Sequence, residues 1–161
     1  MGDNHSIILR QLTKRFYEEN NLIEMLDAHF DKGRGYGVLL VKIIGYQFAI
    51  LLRSNMHIGH KDGYTTRIHH KNGKSYRHGL DFSKAVIIKE QSYISSEPFM
   101  LDKKSDFVKI RKSEHHIITT FEKYVNRYTE AVREEDINIL KSYRFSTLQN
   151  YHKELNILDR Q

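Results

Sequence analysis

Apolar positions along the chain change period twice, and each change marks a structural element. In "SIILRQLT" the run from Ile7 to Leu12 reads as a short strand, and Thr13 is a suitable helix cap. The segment "TKRFYEENNLIEMLDAHF" then brings Phe16, Leu22, Ile23, Leu26 and Phe30 together at helical spacing. A glycine cluster, "DKGRGYG", leads into "VLLVKIIGYQFAILLRS", two β-branched and aromatic runs on either side of Ile44-Gly45. That is the pattern of a hairpin with mostly buried strands. A second hairpin is expected in "TTRIHHKNGKSYRH", because Asn72-Gly73 favours a tight primed turn.

A further strand is expected over Lys84 to Lys89, and the single proline, Pro98, falls in a loop-like stretch from Ser95 to Ser105. Helical period returns afterwards. Ile117, Phe121, Tyr124, Val125, Tyr128 and Val132 form one apolar stripe. A helix is expected over Glu135 to Tyr143, and a last one from Ser146, with Gln149 three residues on in the position of a capping box. The layout is α+β: a strongly bent antiparallel sheet or half-open barrel, an N-terminal helix and a C-terminal helical region, in a single domain spanning residues 1–161.

Charge adds to this picture. Lys and Arg outnumber Asp and Glu by 26 to 20, a net +6, and ten histidines add charge below about pH 6.5. The balance favours an anionic partner, and RNA is the class considered below. With no cysteine in the chain, disulfides and thiolate metal sites are excluded, which fits a reducing cytoplasm. No apolar run is long enough for a membrane span, and no cleavable signal is visible. The opening "MGDNHS" fits a myristoylation pattern, but no second anchoring signal accompanies it.

The densest chemistry lies in "AILLRSNMHIGHKDGYTTRIHH", where a buried-looking strand runs into four histidines, Arg53, Ser54, Lys61 and Arg67. A metal site fits poorly. Adjacent strand residues point to opposite faces, so His69 and His70 do not converge on one ion, and no zinc spacing occurs. A serine hydrolase lacks its Gly-x-Ser-x-Gly turn, and no residue stands out as an acid to orient a base. "GRGYG" precedes a strand and so is no phosphate loop.

Phosphate chemistry without a metal or other cofactor remains. RNA supplies its own nucleophile, the ribose 2′-OH. The protein must hold the strand, accept one proton, donate another and neutralise the phosphorane. Arg53 suits the last task by its fork of donors. His57 or His60 suits proton transfer, and Ser54 and Tyr36 suit orientation of a phosphate oxygen or the 2′-OH. Arg34, Lys61, Arg67, Lys74, Arg77 and Lys84 are the basic side chains available to bind RNA. Each has an ordinary alternative: Arg53 as a strand-end ion pair, Ser54-Asn55 as a turn, Tyr36 as core, Lys84 as an edge charge.

Taken together, "KGRGYGVLLVKIIGYQFAILLRSNMHIGH" and the later "GLDFSKAVII" resemble the core of type III toxin–antitoxin toxins, the ToxN/AbiQ/TenpN-like family, with the TenpN-like branch nearest. The likeness spans Leu9 to Ile94. It implies a metal-independent, sequence-preferring endoribonuclease that leaves a 2′,3′-cyclic phosphate. It also implies a small structured repeat RNA as inhibitor and processing substrate, and a heteromeric protein–RNA complex. The family's active site lies where the second core strand ends in a Thr/Ser/Lys-type segment, here Arg53 and Ser54. The basic position two residues beyond the serine is Met56, a departure that shifts any lysine role to His57, His60, Lys61 or another residue. Lys84 matches a recurring lysine near the same groove. The alternatives are a non-catalytic RNA-binding module, drawing on aromatics such as Tyr46, Tyr64 and Tyr76, and a protein-interaction domain whose charge only solvates it.

Overall fold

The structure is a computed structural model, described over residues 8–25 and 36–157. Five strands form one open antiparallel sheet in the order β1-β2-β3-β5-β4. They are β1 (Leu9–Gln11), β2 (Gly37–Ile43), β3 (Tyr46–His57), β4 (Gly63–Lys71) and β5 (Lys74–Ile87). Helix α1 (Lys14–Glu19) follows the first strand, and α2 (Lys104–Lys112), α3 (Glu114–Glu134) and α4 (Ile137–Ser142) follow the last. The α+β class and the helices at both ends are as expected, and the sheet does not close into a barrel. Among the described residues no helix is long and apolar enough to cross a membrane.

Both expected hairpins form, each through a two-residue turn with left-handed backbone. Asn72 and Gly73 have φ of 53° and 77°, and Ile44 and Gly45 have 45° and 81°. Asn and Gly adopt this conformation readily, whereas a β-branched isoleucine does so at a cost. The β2–β3 register tolerates it because Ile43 pairs with Tyr46 immediately beside the turn, and the ladder runs unbroken from there to Val38 and Leu51.

The bend of the sheet comes from β5. Between the pairs Ala49–Val86 and Leu51–Asp81, two steps along β3 are matched by five along β5. The four residues Phe82 to Ala85 thus stand against the single Ile50, a surplus of three that bulges out of the ladder and turns the strand sharply. A smaller irregularity places one extra residue on β3 between Arg53 and Met56, at Ser54-Asn55. Glycines allow β4 and β5 to close up here: a Cβ on Gly63 would lie 2.1 Å from the Leu80 carbonyl oxygen, and one on Gly79 would lie 2.1 Å from that of Tyr64. No side chain fits either place.

The apolar stripe of α3 packs on the sheet as its period required. The Phe121 ring meets Phe48 and Phe82 edge-on, each at 5.3 Å between centroids, and Tyr124 lies 4.7 Å from Tyr143. Phe16, Phe48, Ile50, Leu80, Ile117 and Phe121 are all fully buried in one core.

Several boundaries differ from expectation. The strand expected at Lys84 to Lys89 is the far end of β5, which continues through Gly79 because β4 and β3 flank it on both sides. The N-terminal strand is three residues, with Leu12 bridging to Ile94. Helix α1 stops after six residues, where the Asn20 side chain donates to the Phe16 carbonyl at 2.8 Å. Ile23 is then 58% exposed, while Leu26, Phe30 and Arg34 lie outside the described residues. Helix α2 begins inside the expected loop, taking in Lys104 and Ser105. The final helix is a single 3-10 turn, Thr147–Asn150. Its capping box does not form, because the Ser146 N–H already donates to the Tyr143 carbonyl; Gln149 instead donates to the Ser146 carbonyl at 2.9 Å.

Candidate functional site

The β5 bulge begins at Asp81, a carboxylate with no exposed surface, and four donors converge on it. Arg53 Nη1 reaches Oδ2 at 2.6 Å. His60 Nε2 lies 2.8 Å from Oδ1, which also accepts from the backbone N–H of Ser83 at 3.0 Å and its hydroxyl at 2.6 Å. The geometry follows from register. Leu51 pairs with Asp81, so Arg53, two residues along β3, crosses diagonally on the same face. Gly63 pairs with Asp81 from the other side, bringing the β3–β4 turn and His60 over it. The turn is held by the His60 N–H donating to the His57 carbonyl at 2.9 Å.

Electrostatics at this hub are decisive. Burial pushes the Asp81 carboxyl up, yet the hydrogen bond and charge of His60, with bonds from Ser83 and Arg53, outweigh it and hold the pKa down at about 2. His60 is raised above its ordinary value, chiefly by its hydrogen bond to Asp81, against the opposing effect of burial. An ionised Asp81 only accepts, so Nε2 carries the proton of a neutral His60 and Nδ1 carries the lone pair. Among the described residues Nδ1 has no hydrogen-bond partner, and the side chain is about one quarter exposed. The site therefore presents an oriented, partly exposed imidazole on the same carboxylate that pairs with the Arg53 guanidinium.

Other candidates are distributed around this centre. Tyr36 lies just before β2, where its carbonyl accepts from the Leu12 N–H at 3.0 Å, and it makes no hydrogen bond to the Asp81 hub. Ser54 is exposed on its bulge; its carbonyl accepts from His69, and its hydroxyl makes no hydrogen bond to the Asp81 hub. His57 is exposed, and its Nδ1 accepts from the Gly59 N–H at 3.0 Å, which leaves Nε2 to carry the proton of the neutral ring. Met56, at the position where the family pattern is basic, is 1% exposed and pairs with Arg77 in the ladder.

Among the basic residues, Lys61 and Lys74 are exposed, at the β3–β4 turn and the β4–β5 tip. Arg67 binds the buried Asp106 at 3.0 Å, and Arg77 donates to the Ile58 carbonyl at 2.7 Å. Lys84 is placed differently from the surface position expected for an RNA contact. It is 8% exposed, and its ammonium donates to the carbonyls of Glu24 at 2.9 Å and Phe145 at 2.7 Å. Burial lowers its pKa, and the charges of Asp81 and Arg53 act on it, so it lies close to the hub as a structural cation.

His69 and His70 go to separate partners, Ser54 and Ser75, as their opposite faces require. Among the described residues no three His, Asp or Glu side chains gather in an arrangement able to hold a metal ion.

Sequence reasoning did not single out Asp81. The missed signal is its setting in "GLDFSKAVII", one acidic residue at the edge of an apolar run, where an unpaired charge would be costly. No family model matches the chain, and comparison with curated proteins and with solved structures returned no significant match.

Proposed function

We propose that the protein is a metal-independent endoribonuclease toxin of the type III toxin–antitoxin kind, with the Arg53–Asp81–His60 cluster as its active site. The observation that carries this reading is the geometry of His60: one ring nitrogen is fixed on a buried carboxylate that Arg53 also binds, the other has no hydrogen-bond partner among the described residues, and the side chain is partly exposed. This is the arrangement that proton transfer next to a phosphate requires. The sequence resemblance and the +6 charge support an RNA substrate and an RNA inhibitor.

In the reaction, His60 Nδ1 accepts the 2′-OH proton as O2′ bonds to phosphorus, and Asp81 stabilises the resulting imidazolium. The remaining Arg53 N–H groups face the charge that builds on the non-bridging oxygens. The P–O5′ bond breaks, and the departing oxygen takes a proton from a second acid, a role for which the exposed His57, with its proton on Nε2, is the candidate. The products are a 2′,3′-cyclic phosphate and a 5′-hydroxyl. Asp81 is a positioning residue: it acts through His60 and Arg53.

Incubating the protein with RNA in EDTA and analysing the new termini tests the reading. Cyclic phosphate and 5′-hydroxyl ends are expected. A 5′-phosphate product, or cleavage only with added magnesium, contradicts it. Salt-sensitive binding with no shortening of the RNA would assign the protein to the non-catalytic RNA-binding class.

A further inference from the structure

Beside the hub, between the β3–β4 turn and α3, lies an open cavity of about 290 Å³. Phe82, Tyr124 and Tyr143 form its aromatic wall, and Lys61, Lys123 and Arg127 line its rim. Asp62 lines it as well, one residue before Gly63, which pairs with Asp81. The cavity and the hub are thus neighbours across the start of the β4–β5 pair, where the Phe82 N–H donates to the Asp62 carbonyl at 2.9 Å, and the charges of both His60 and Asp81 act on the Asp62 carboxylate.

The carboxylate of Asp62 has no hydrogen-bond donor among the described residues, although polar groups surround it. The two nearby tyrosine hydroxyls are engaged elsewhere: Tyr124 donates to Ser146 Oγ at 3.0 Å, and Tyr143 donates to the Tyr124 carbonyl at 2.7 Å. Burial raises the Asp62 pKa, opposed by the charges of His60 and Arg127, so its solvation is incomplete. The cavity therefore combines a wall of buried aromatic side chains, a cationic rim and one acceptor open to a donor from outside. Unpaired bases are recognised by contacts to the Watson–Crick edge, with their phosphates held on a cationic rim.

We propose that this cavity binds one unpaired nucleobase carrying an exocyclic amine (adenine, cytosine or guanine) and rejects uracil, with Asp62 as the acceptor that reads it. The inference rests on RNA being the substrate. A carboxylate accepts the N–H bonds of an exocyclic amine. The corresponding edge of uracil presents a single N–H between two carbonyl oxygens, which the carboxylate repels. Lys123 and Arg127, exposed on α3, hold the flanking phosphates without regard to base.

Binding is measured with full-length protein and short 2′-O-methyl oligonucleotides, which lack the attacking hydroxyl and stay intact. Wild type should bind oligo-C at least tenfold more tightly than oligo-U, and adenine-containing oligonucleotides more tightly than those with purine riboside, which lacks only the amine. Asp62→Asn, checked for folding by thermal melting, should narrow the C-to-U ratio below threefold. Lys123→Ala combined with Arg127→Ala should weaken C and U alike. Equal affinity of wild type for the members of each base pair overturns the proposal without any variant, as does a ratio that Asp62→Asn leaves intact. Absence of all RNA binding overturns both this inference and the nuclease reading. Base discrimination without cleavage upholds the cavity and overturns only the nuclease. Cleavage without discrimination does the reverse.

Discussion

Asp81→Asn removes one charge from the centre of the site while keeping the side chain's size, and its consequence can be worked out. The folded pKa of about 2, against an ordinary value of 3.8, corresponds at ~1.36 kcal/mol per pH unit to about 2 kcal/mol in favour of the ionised, folded form. A depressed carboxylate contributes this fully above its unfolded pKa and loses it as pH falls through the folded one. The interaction with His60 is one shared energy, so the raised His60 pKa is not added to it. Asp81→Asn should therefore cost about 2 kcal/mol at pH 7, and the deficit should shrink below about pH 4 and vanish as pH falls below about 2. Urea unfolding of wild type and variant across that range gives the measurement. NMR titration of His60 gives a second readout, its pKa falling in the variant because the carboxylate that raised it is gone. Equal midpoints at pH 7, or a gap that persists at low pH, refute the argument.

Arg53→Ala should lower RNA cleavage by about 10²-fold or more, whereas Ser54→Ala should change it less than tenfold, since that hydroxyl has no contact to the hub; single-turnover rates decide. Lys84→Met should cost about 1–3 kcal/mol in unfolding experiments, by leaving the carbonyls of Glu24 and Phe145 without their donor, and should leave the salt dependence of RNA binding unchanged. Lys61→Ala, at an exposed cation, should instead reduce the slope of log K against log salt by about 0.7. Ile44→Asn should relieve the left-handed strain at φ 45° and raise the melting temperature by about 2–4 °C, read by differential scanning calorimetry.

Elements with a strong local signal were legible in the sequence. The two glycine turns, the β2–β3 hairpin and the stripe of α3 follow from local chemistry and period, which tertiary contacts then reinforced. The continuity of β5 was hidden because Gly79 looks like a break, and only the close approach of β4 explains a glycine there. The role of Lys84 was hidden for a related reason: a surface-edge lysine and a buried one capped by two carbonyls look alike in sequence. At the site, Arg53 and His60 were identified by their chemistry. Asp81 was overlooked, because nothing local reports that a five-against-two bulge swings it beneath a turn twenty residues earlier. Asp62 and the α3 cations meet only through the packing of that helix.

The role of His60 can be measured directly by comparing wild type with His60→Gln, confirmed as folded, in single-turnover RNA cleavage and in affinity for an uncleavable 2′-O-methyl RNA. The expected result is a rate at least 10²-fold lower with affinity changed less than threefold. An undiminished rate in the folded variant would contradict the assignment of proton transfer to the imidazole that Asp81 holds.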